Sequence, residues 1–282
     1  DSAYGSTRNF ISKFLPTIGV EVEFYKPRIK PKDFEKLIKE NTSLVYFESP
    51  GSLTFELQDF PKLCQITNRL NIKSIADNTW GTILGQNPLN LGIDVVIESY
   101  TKYVSGHSDV MMGGVIARNN NFRKIKKQAE IMGQCTSPDD IYLAMRGLRT
   151  MEVRLEKSFA SSVKVANWIS KISYVKNVFH PATKHHPDNK IFRRDFNIGA
   201  GLFSFELSEK DPKKIDKFID SLELFGIGAS WGGFESLVLQ ADLEKIRNFE
   251  SFRNSTLIRL AIGLENPDDL IDDLNKAFTK LN

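Results

Sequence analysis

Cysteine, histidine and net charge are all scarce in this sequence. The 282 residues include two cysteines and four histidines, and the formal net charge is +3. Cys64 and Cys135 stand far apart and match no metal-ligand spacing, which argues against a disulfide framework and against a cysteine-based metal site. We therefore expect a cytoplasmic setting, where thiols stay reduced.

Long apolar runs and broad basic patches are missing as well. No apolar stretch reaches membrane-spanning length, and the N-terminus lacks the charged-then-apolar pattern of a signal peptide. One basic cluster occurs, RKIKK at residues 123–127, and it is typical of the solvated face of a helix rather than of a nucleic-acid interface. Membranes and nucleic acids are therefore not expected partners.

Apolar residues, in contrast, are plentiful. They make up 41% of the chain, enough for a sizeable core, and the length suggests roughly two domains. The run VVI at residues 95–97 predicts a buried strand of a parallel sheet, and the polar stretch SYTKYVSGHSDVMMGG follows at residues 99–114. Because α/β proteins place ligand sites at the carboxyl edge of such a sheet, this stretch is a candidate site.

Lys102 stands at this transition from strand to loop. A lysine that loses its water has a lowered pKa, and its neutral amine attacks carbonyl groups to form a Schiff base. The alternative is an ordinary lysine with its ammonium group in water. Position alone favours that alternative, so the neighbouring motifs decide between the two.

A second strand end lies upstream, in SIADNTW at residues 74–80. Asp77 stands where the apolar strand gives way to a loop, and taken alone it is as well explained by a helix cap or an Asx-turn. Pyridoxal phosphate needs a lysine for its aldehyde and a carboxylate for its ring nitrogen. The two motifs at this spacing are more specific than either one alone.

Together these stretches resemble the Cys/Met-metabolism family of pyridoxal-phosphate enzymes. Four further motifs share the resemblance, which spans essentially the whole chain: ESPGS (48–52), RGLRT (146–150), SWGGFES (230–236) and TLIRLAIGLE (256–265). The resemblance implies an α/β protein of fold type I, the aspartate-aminotransferase-like transferase fold. It implies a mostly parallel cofactor domain at residues 1–148, incomplete at its N-terminus, and a smaller α+β domain at residues 149–282.

The resemblance also implies the cofactor contacts. Lys102 would hold pyridoxal 5'-phosphate as a Schiff base and act in catalysis, and Asp77 would keep the ring nitrogen protonated. Tyr4 would stack on the ring and take part in proton transfer, although a loop aromatic over apolar surface explains it equally well. The hydroxyls of Ser99 and Thr101 would donate to the phosphate, with turn capping as the alternative.

On the substrate side, Arg259 occupies a polar position within an apolar strand. A buried arginine needs a partner, which is either a nearby carboxylate of the protein or the α-carboxylate of an amino-acid substrate. The pattern leaves both open, and the resemblance favours the substrate. It further implies that Trp231 and Ser230 line the substrate pocket, with core packing as the alternative for the tryptophan.

The ESPGS loop carries the most specific functional hint. The γ-acting relatives usually have Ser-Pro-(Thr/Ser)-Asn-Pro there, and Pro-Gly-Ser favours a carbon–sulfur β-lyase of methionine biosynthesis. Such an enzyme cleaves L-cystathionine to L-homocysteine, pyruvate and ammonia, and cysteine desulfhydrase activity is a related possibility. A γ-acting relative remains an alternative. The resemblance also implies a homo-oligomer, a dimer of dimers, because family sites are shared between subunits.

The N-terminus leads to another expectation. The chain opens with Asp1, and we expect it to lack an N-terminal segment of about a hundred residues that includes the family's phosphate-binding loop. An inactive remnant of the enzyme is therefore a further alternative. Locally, we predict a strand at residues 20–24, a helix at 32–41, and a surface loop around His180, His185 and His186.

Overall fold

The computed structural model of the chain describes residues 1–243, 247–249 and 256–281. The α-helices of this part are α1 (Gly5–Asn9), α2 (Pro31–Leu37), α3 (Phe60–Arg69), α4 (Thr82–Gly85), α5 (Asn119–Ile131), α6 (Pro138–Leu148), α7 (Met151–Ile169), α8 (Asn189–Asp195), α9 (Pro212–Asp220) and α10 (Pro267–Phe278). The strands are β1 (Leu44–Glu48), β2 (Lys73–Asp77), β3 (Val95–Ser99), β4 (Gly113–Ala117), β5 (Val175–Phe179), β6 (Leu202–Leu207), β7 (Gly226–Ile227), β8 (Leu237–Ala241) and β9 (Thr256–Ala261). A π-helical turn and three 3₁₀ turns complete the set: Phe10–Phe14, Leu15–Ile18, Pro88–Leu91 and Thr279–Leu281.

The first sheet has the strand order β1-β2-β3-β4. The first three strands run parallel, and β4 runs antiparallel to β3. Glu48 at the end of β1 is in register with Asp77 at the end of β2, and Asp77 with Ile97 near the end of β3. The carboxyl ends of three parallel strands therefore meet at one edge, as the strand-to-loop motifs predict.

Helix α3 connects β1 to β2 and packs its apolar face on this sheet. Phe60, Leu63 and Cys64 are buried on that face, and the ring of Phe60 lies 5.5 Å from that of Phe47 in β1. Pro61 in the first turn of the helix suits its start because that position needs no backbone N–H donor. This packing holds the connection between β1 and β2 against the sheet.

The second sheet has the order β5-β6-β9-β8-β7. Strands β6 and β9 are buried almost throughout, because α7, α9 and α10 contribute side chains to the core on this sheet. Helix α10 begins at the cap residue Asn266, whose side chain accepts a hydrogen bond from the Asp268 backbone N–H at 3.0 Å. Arg259 lies in β9, between β6 and β8.

Some local predictions are wrong. Residues 20–24 form no strand. The helix predicted at residues 32–41 ends at Leu37, because Ile38 has an extended backbone. The predicted domain boundary at residue 148 stays a prediction and falls between α6 and α7. Within the described part of the chain, no helix combines the length and the apolar character needed to cross a bilayer.

The predicted surface loop of histidines is also wrong in part. His185 is exposed, but His180 is 0% exposed and His186 is buried as well. The His180 Nε2 atom lies 2.9 Å from the Ser162 hydroxyl oxygen, and burial lowers the pKa of His180 to about 3. These two imidazoles are neutral packing groups, and the polar sequence around them hides that role.

Candidate active site

Lys102 lies three residues beyond the end of β3, in a turn that its own backbone closes by donating to the Ser99 carbonyl oxygen at 3.1 Å. Its Nζ atom donates to the Ser230 hydroxyl at 2.9 Å and lies 5.3 Å from the ring centre of Trp231. Burial lowers the pKa of Lys102, and the charge of Arg259 lowers it further. The amine is therefore closer to its nucleophilic form than an exposed lysine is.

Arg259 is 7% exposed, and its guanidinium group contacts the segment that contains Ser230. Its Nη2 atom donates to the backbone carbonyl oxygens of Gly228, Ala229 and Ser230 at 3.0–3.1 Å. The Nε atom is buried and has no hydrogen-bond partner among the described residues. Burial lowers the pKa of Arg259 to about 10, and Tyr4 and Tyr103 act in the opposite direction.

This geometry bears on the two partners that the sequence left open for Arg259. No aspartate or glutamate in the described ranges forms an ion pair with it. Three carbonyl oxygens satisfy one nitrogen, while the buried Nε keeps an unused donor. A carboxylate from outside the chain would supply the missing acceptor.

Asp77 ends β2, and its two carboxylate oxygens have different surroundings. The Oδ1 atom accepts from the Thr79 backbone N–H at 2.9 Å and from the Thr79 hydroxyl at 2.6 Å. The first of these bonds is an Asx-turn, so the structural alternative for this residue is realised. The Oδ2 atom receives a long contact of 3.4 Å from the Tyr46 hydroxyl and retains capacity for a further donor.

Ser99 and Thr101 differ in how free their hydroxyl groups are. The Ser99 hydroxyl has no hydrogen-bond partner within the described ranges, and its backbone N–H donates to the Thr79 hydroxyl at 2.9 Å. The Thr101 hydroxyl donates to the Met112 carbonyl oxygen at 3.3 Å and accepts from the Met112 N–H at 3.0 Å. Thr101 must therefore release this bond before it can donate to a phosphate, and its cofactor role stays a prediction.

Tyr4 and Glu48 reach the site from the β1 side. Tyr4 is 50% exposed, and its backbone N–H donates to the Glu48 carboxylate at 2.6 Å. Burial raises the pKa of Glu48 well above its ordinary value, and the charge of Asp77 adds to the rise. Sequence reasoning assigned Glu48 no role, although the signal was present: it ends β1 as Asp77 ends β2.

The residues around Lys102 fit pyridoxal phosphate. The site contains an amine with a lowered pKa, a carboxylate oxygen with spare acceptor capacity, a serine hydroxyl free to donate and an arginine with an unused donor. Lys102, Asp77 and Ser99 would hold the cofactor, and Arg259 would face the substrate. Burial also raises the pKa of Asp77, and a cationic ring nitrogen would oppose that rise.

Comparison with known proteins decides the family. Residues 1–279 match the family described as Cys/Met metabolism PLP-dependent enzyme. The chain belongs to this family. It is 38% identical to the cystathionine β-lyase MetC of Escherichia coli strain K12, over 100% of this chain and 73% of that protein. It is 37% identical to an L-alanine/L-glutamate racemase of Wolbachia pipientis wMel, over 100% of this chain and 70% of that protein.

A solved structure agrees with the family assignment. The crystal structure of metB from Corynebacterium glutamicum superimposes with a TM-score of 0.91 at 28% identity, and the match covers 99% of this chain and 73% of that one. The predicted fold type I and the predicted cofactor, pyridoxal 5'-phosphate, are confirmed. The relatives also bear out the predicted enzyme class, that of carbon–sulfur lyases. The roles of the individual site residues stay predictions.

Proposed function

We propose that this chain catalyses the β-elimination of L-cystathionine to L-homocysteine, pyruvate and ammonia. The observation that carries the proposal is the environment of Lys102, whose amine lies 2.9 Å from the Ser230 hydroxyl. Arg259 also binds the Ser230 carbonyl oxygen, and its buried Nε atom has no hydrogen-bond partner among the residues described. A nucleophilic amine beside a carboxylate receptor suits an amino-acid substrate.

Each residue has a distinct part in the proposed reaction. Bound pyridoxal phosphate supplies an electron sink for the negative charge that develops at the substrate α-carbon. Arg259 binds the α-carboxylate, Lys102 Nζ takes the α-proton, and Asp77 retains a proton on the ring nitrogen. The Cβ–S bond then breaks with its electron pair on sulfur, which leaves as homocysteine after protonation. One water molecule is consumed as the remaining three-carbon fragment yields pyruvate and ammonia.

The β-position is favoured over the γ-position by the ESPGS loop at residues 48–52. This motif begins at Glu48, the last residue of β1, whose carboxylate accepts from the Tyr4 backbone N–H. It therefore lies beside the predicted ring-stacking residue. The keto acid distinguishes the two reactions, because β-elimination gives pyruvate and γ-elimination gives 2-oxobutyrate.

The direct test is spectroscopic. Added pyridoxal phosphate should give this chain the absorption band of a lysine-bound cofactor at roughly 410–430 nm. Lys102→Ala should remove both the band and pyruvate release from cystathionine, because no other amine occupies that position. Lys157→Ala, at an exposed lysine of α7, is the matched control and should keep both. A band that survives in Lys102→Ala contradicts the assignment, and no band in the unmodified chain marks an inactive remnant.

A racemase is a second candidate function. The Wolbachia relative carries that name at 37% identity, and this chain has both Lys102 and the Tyr4 phenol available for proton transfer. Chiral analysis of incubations with L-alanine and L-glutamate separates the candidates, because a racemase forms the D-enantiomer without releasing pyruvate from cystathionine. A homo-oligomer and a place in methionine biosynthesis belong to the same proposal.

A further inference from the structure

Two loops lie against each other next to the Lys102 amine. We name residues 102–109 the lysine loop and residues 228–236 the tryptophan loop. Gly232 of the tryptophan loop has φ +79°, and a Cβ atom there would lie 3.1 Å from both the Lys102 Cβ and the Tyr103 backbone nitrogen. The two loops are therefore in close contact at Gly232, and both the positive φ and the tight approach favour glycine there.

A polar contact joins the same two loops farther along. The Ser108 hydroxyl oxygen lies 2.8 Å from Glu235 Oε1 and 3.1 Å from Oε2, and donates its proton to this carboxylate. A Cβ atom on Gly233 would lie 2.3 Å from the Ser108 hydroxyl oxygen and 2.7 Å from Glu235 Oε2. The contact thus depends on a position without a side chain between its two partners.

The two ends of the tryptophan loop are held by other groups. At its start, Arg259 binds three consecutive carbonyl oxygens. At its end, the backbone N–H and hydroxyl of Ser236 both donate to the Glu265 carboxylate at 2.7 Å. Between these ends, the Phe234 carbonyl oxygen accepts from the Leu264 backbone N–H at 2.9 Å. Within the described ranges, two side-chain hydrogen bonds tie the tryptophan loop to the lysine loop, one between Lys102 and Ser230 and one between Ser108 and Glu235.

We propose that Glu235 is a positioning residue for Lys102. Through Ser108 it holds the tryptophan loop against the lysine loop, and this keeps the Ser230 hydroxyl and the Trp231 ring beside the Lys102 amine. The inference rests on the proposed function in one respect, namely that Lys102 is the reactive lysine. It adds to that function a residue that acts on Lys102 through Ser108.

The loop contact has a consequence that can be measured without cofactor or turnover. Lys102 owes its lowered pKa first to burial, and the tryptophan loop supplies part of that cover. When the loop loosens, water reaches the amine and its pKa rises toward the ordinary value. Competitive labelling of the full chain with trace acetic anhydride across a pH series, read peptide by peptide by mass spectrometry, gives the pKa of Lys102 directly.

Ser108→Ala and Glu235→Ala should each lower Lys102 labelling at pH 8, taken relative to its high-pH limit, by roughly threefold for a pKa rise of about half a unit. The double variant should lose no more than the larger single loss, because both changes remove one bond. Glu235→Gln keeps an acceptor oxygen at the same reach and should restore labelling close to that of the unmodified chain. Glu156→Ala, at an exposed position of α7, should change nothing.

Unchanged Lys102 labelling in Ser108→Ala and Glu235→Ala, with folding intact by circular dichroism, would overturn the proposal. A loss of equal size in Glu156→Ala would overturn it as well. If Glu235→Ala does not fold, Ser108→Ala carries the test alone. Failure of the proposed lyase function looks different, since it leaves this labelling pattern in place while pyruvate release is absent.

Discussion

The two sheets place their polar groups in opposite ways. Strands β1 and β2 alternate between buried and partly exposed residues, and their carboxyl ends hold Glu48 and Asp77. Strand β6 is buried at every position and β9 at nearly every one. Arg259 interrupts the apolar run of β9, and its guanidinium points toward the site rather than into the core. The first sheet therefore contributes the carboxylates at its strand ends, and the second contributes packing together with the single guanidinium of Arg259.

The difference shows where burial is costly. At the first sheet, burial raises the pKa of Glu48, Asp77 and Glu98, and the charge of Asp77 adds to the rise at the two glutamates. Nearby, the Asn78 Oδ1 atom and both polar atoms of the Gln86 side chain are buried and have no hydrogen-bond partner in the part of the chain that the structure describes. Such groups destabilise a fold. The apolar core on the second sheet offsets that cost.

A core truncation in the second sheet gives the largest expected effect. Phe205 in β6 is 0% exposed, and its ring lies 6.1 Å from that of Phe278 in α10. Phe205→Ala should lower the free energy of unfolding by about 3–5 kcal/mol, because it removes apolar contacts and leaves a cavity. Urea unfolding measures this, with Phe122→Ala on the exposed face of α5 as the control. A loss below about 1 kcal/mol would break the comparison, since the second sheet would then not be the source of stability.

Glu98 tests the cost of burying an ionisable group in the first sheet. It is 6% exposed and accepts from Asn78 Nδ2 at 3.0 Å, and burial raises its pKa from 4.5 to about 7, helped by the charge of Asp77. Because the folded state binds this proton more tightly, the stabilisation is complete below the unfolded pKa. It is lost as the pH rises from about 4.5 to about 7, where the change amounts to about 3 kcal/mol.

Glu98→Gln removes the titration and keeps the shape of the side chain. Between pH 5 and pH 8, the free energy of unfolding of the unmodified chain should fall by a few kcal/mol more than that of the variant. Urea titrations at both pH values measure the difference, and the exposed Glu156→Gln serves as the control. Equal pH slopes for Glu98→Gln and the unmodified chain would show that the first sheet carries no such cost.

The sequence predicted those candidate site residues that lie at the end of a single strand. Lys102 and Asp77 stand at strand-to-loop transitions, which apolar runs reveal directly, and the parallel register brings those ends together. Contacts between distant segments leave no such pattern. The bond between Ser108 and Glu235 joins residues 127 positions apart. His180, in a polar stretch that contains two prolines, makes its buried contact with Ser162 of α7. The exposed bond between Ser108 and Glu235 and the burial of His180 both depend on tertiary packing, and the sequence predicted neither.

The smallest effect is expected where local sequence rules and tertiary structure agree. Asn266 caps α10 through its side chain, and Pro267 follows in the first turn. Asn266→Ala leaves the Asp268 N–H without that acceptor and should cost about 1 kcal/mol in urea unfolding. Asn266→Ser keeps an acceptor and should recover most of the loss. A loss confined to the alanine variant would show that the side-chain cap, a feature visible in the local sequence, stabilises the start of α10. Equal losses in both variants would mean that tertiary contacts, not the cap, hold the start of α10.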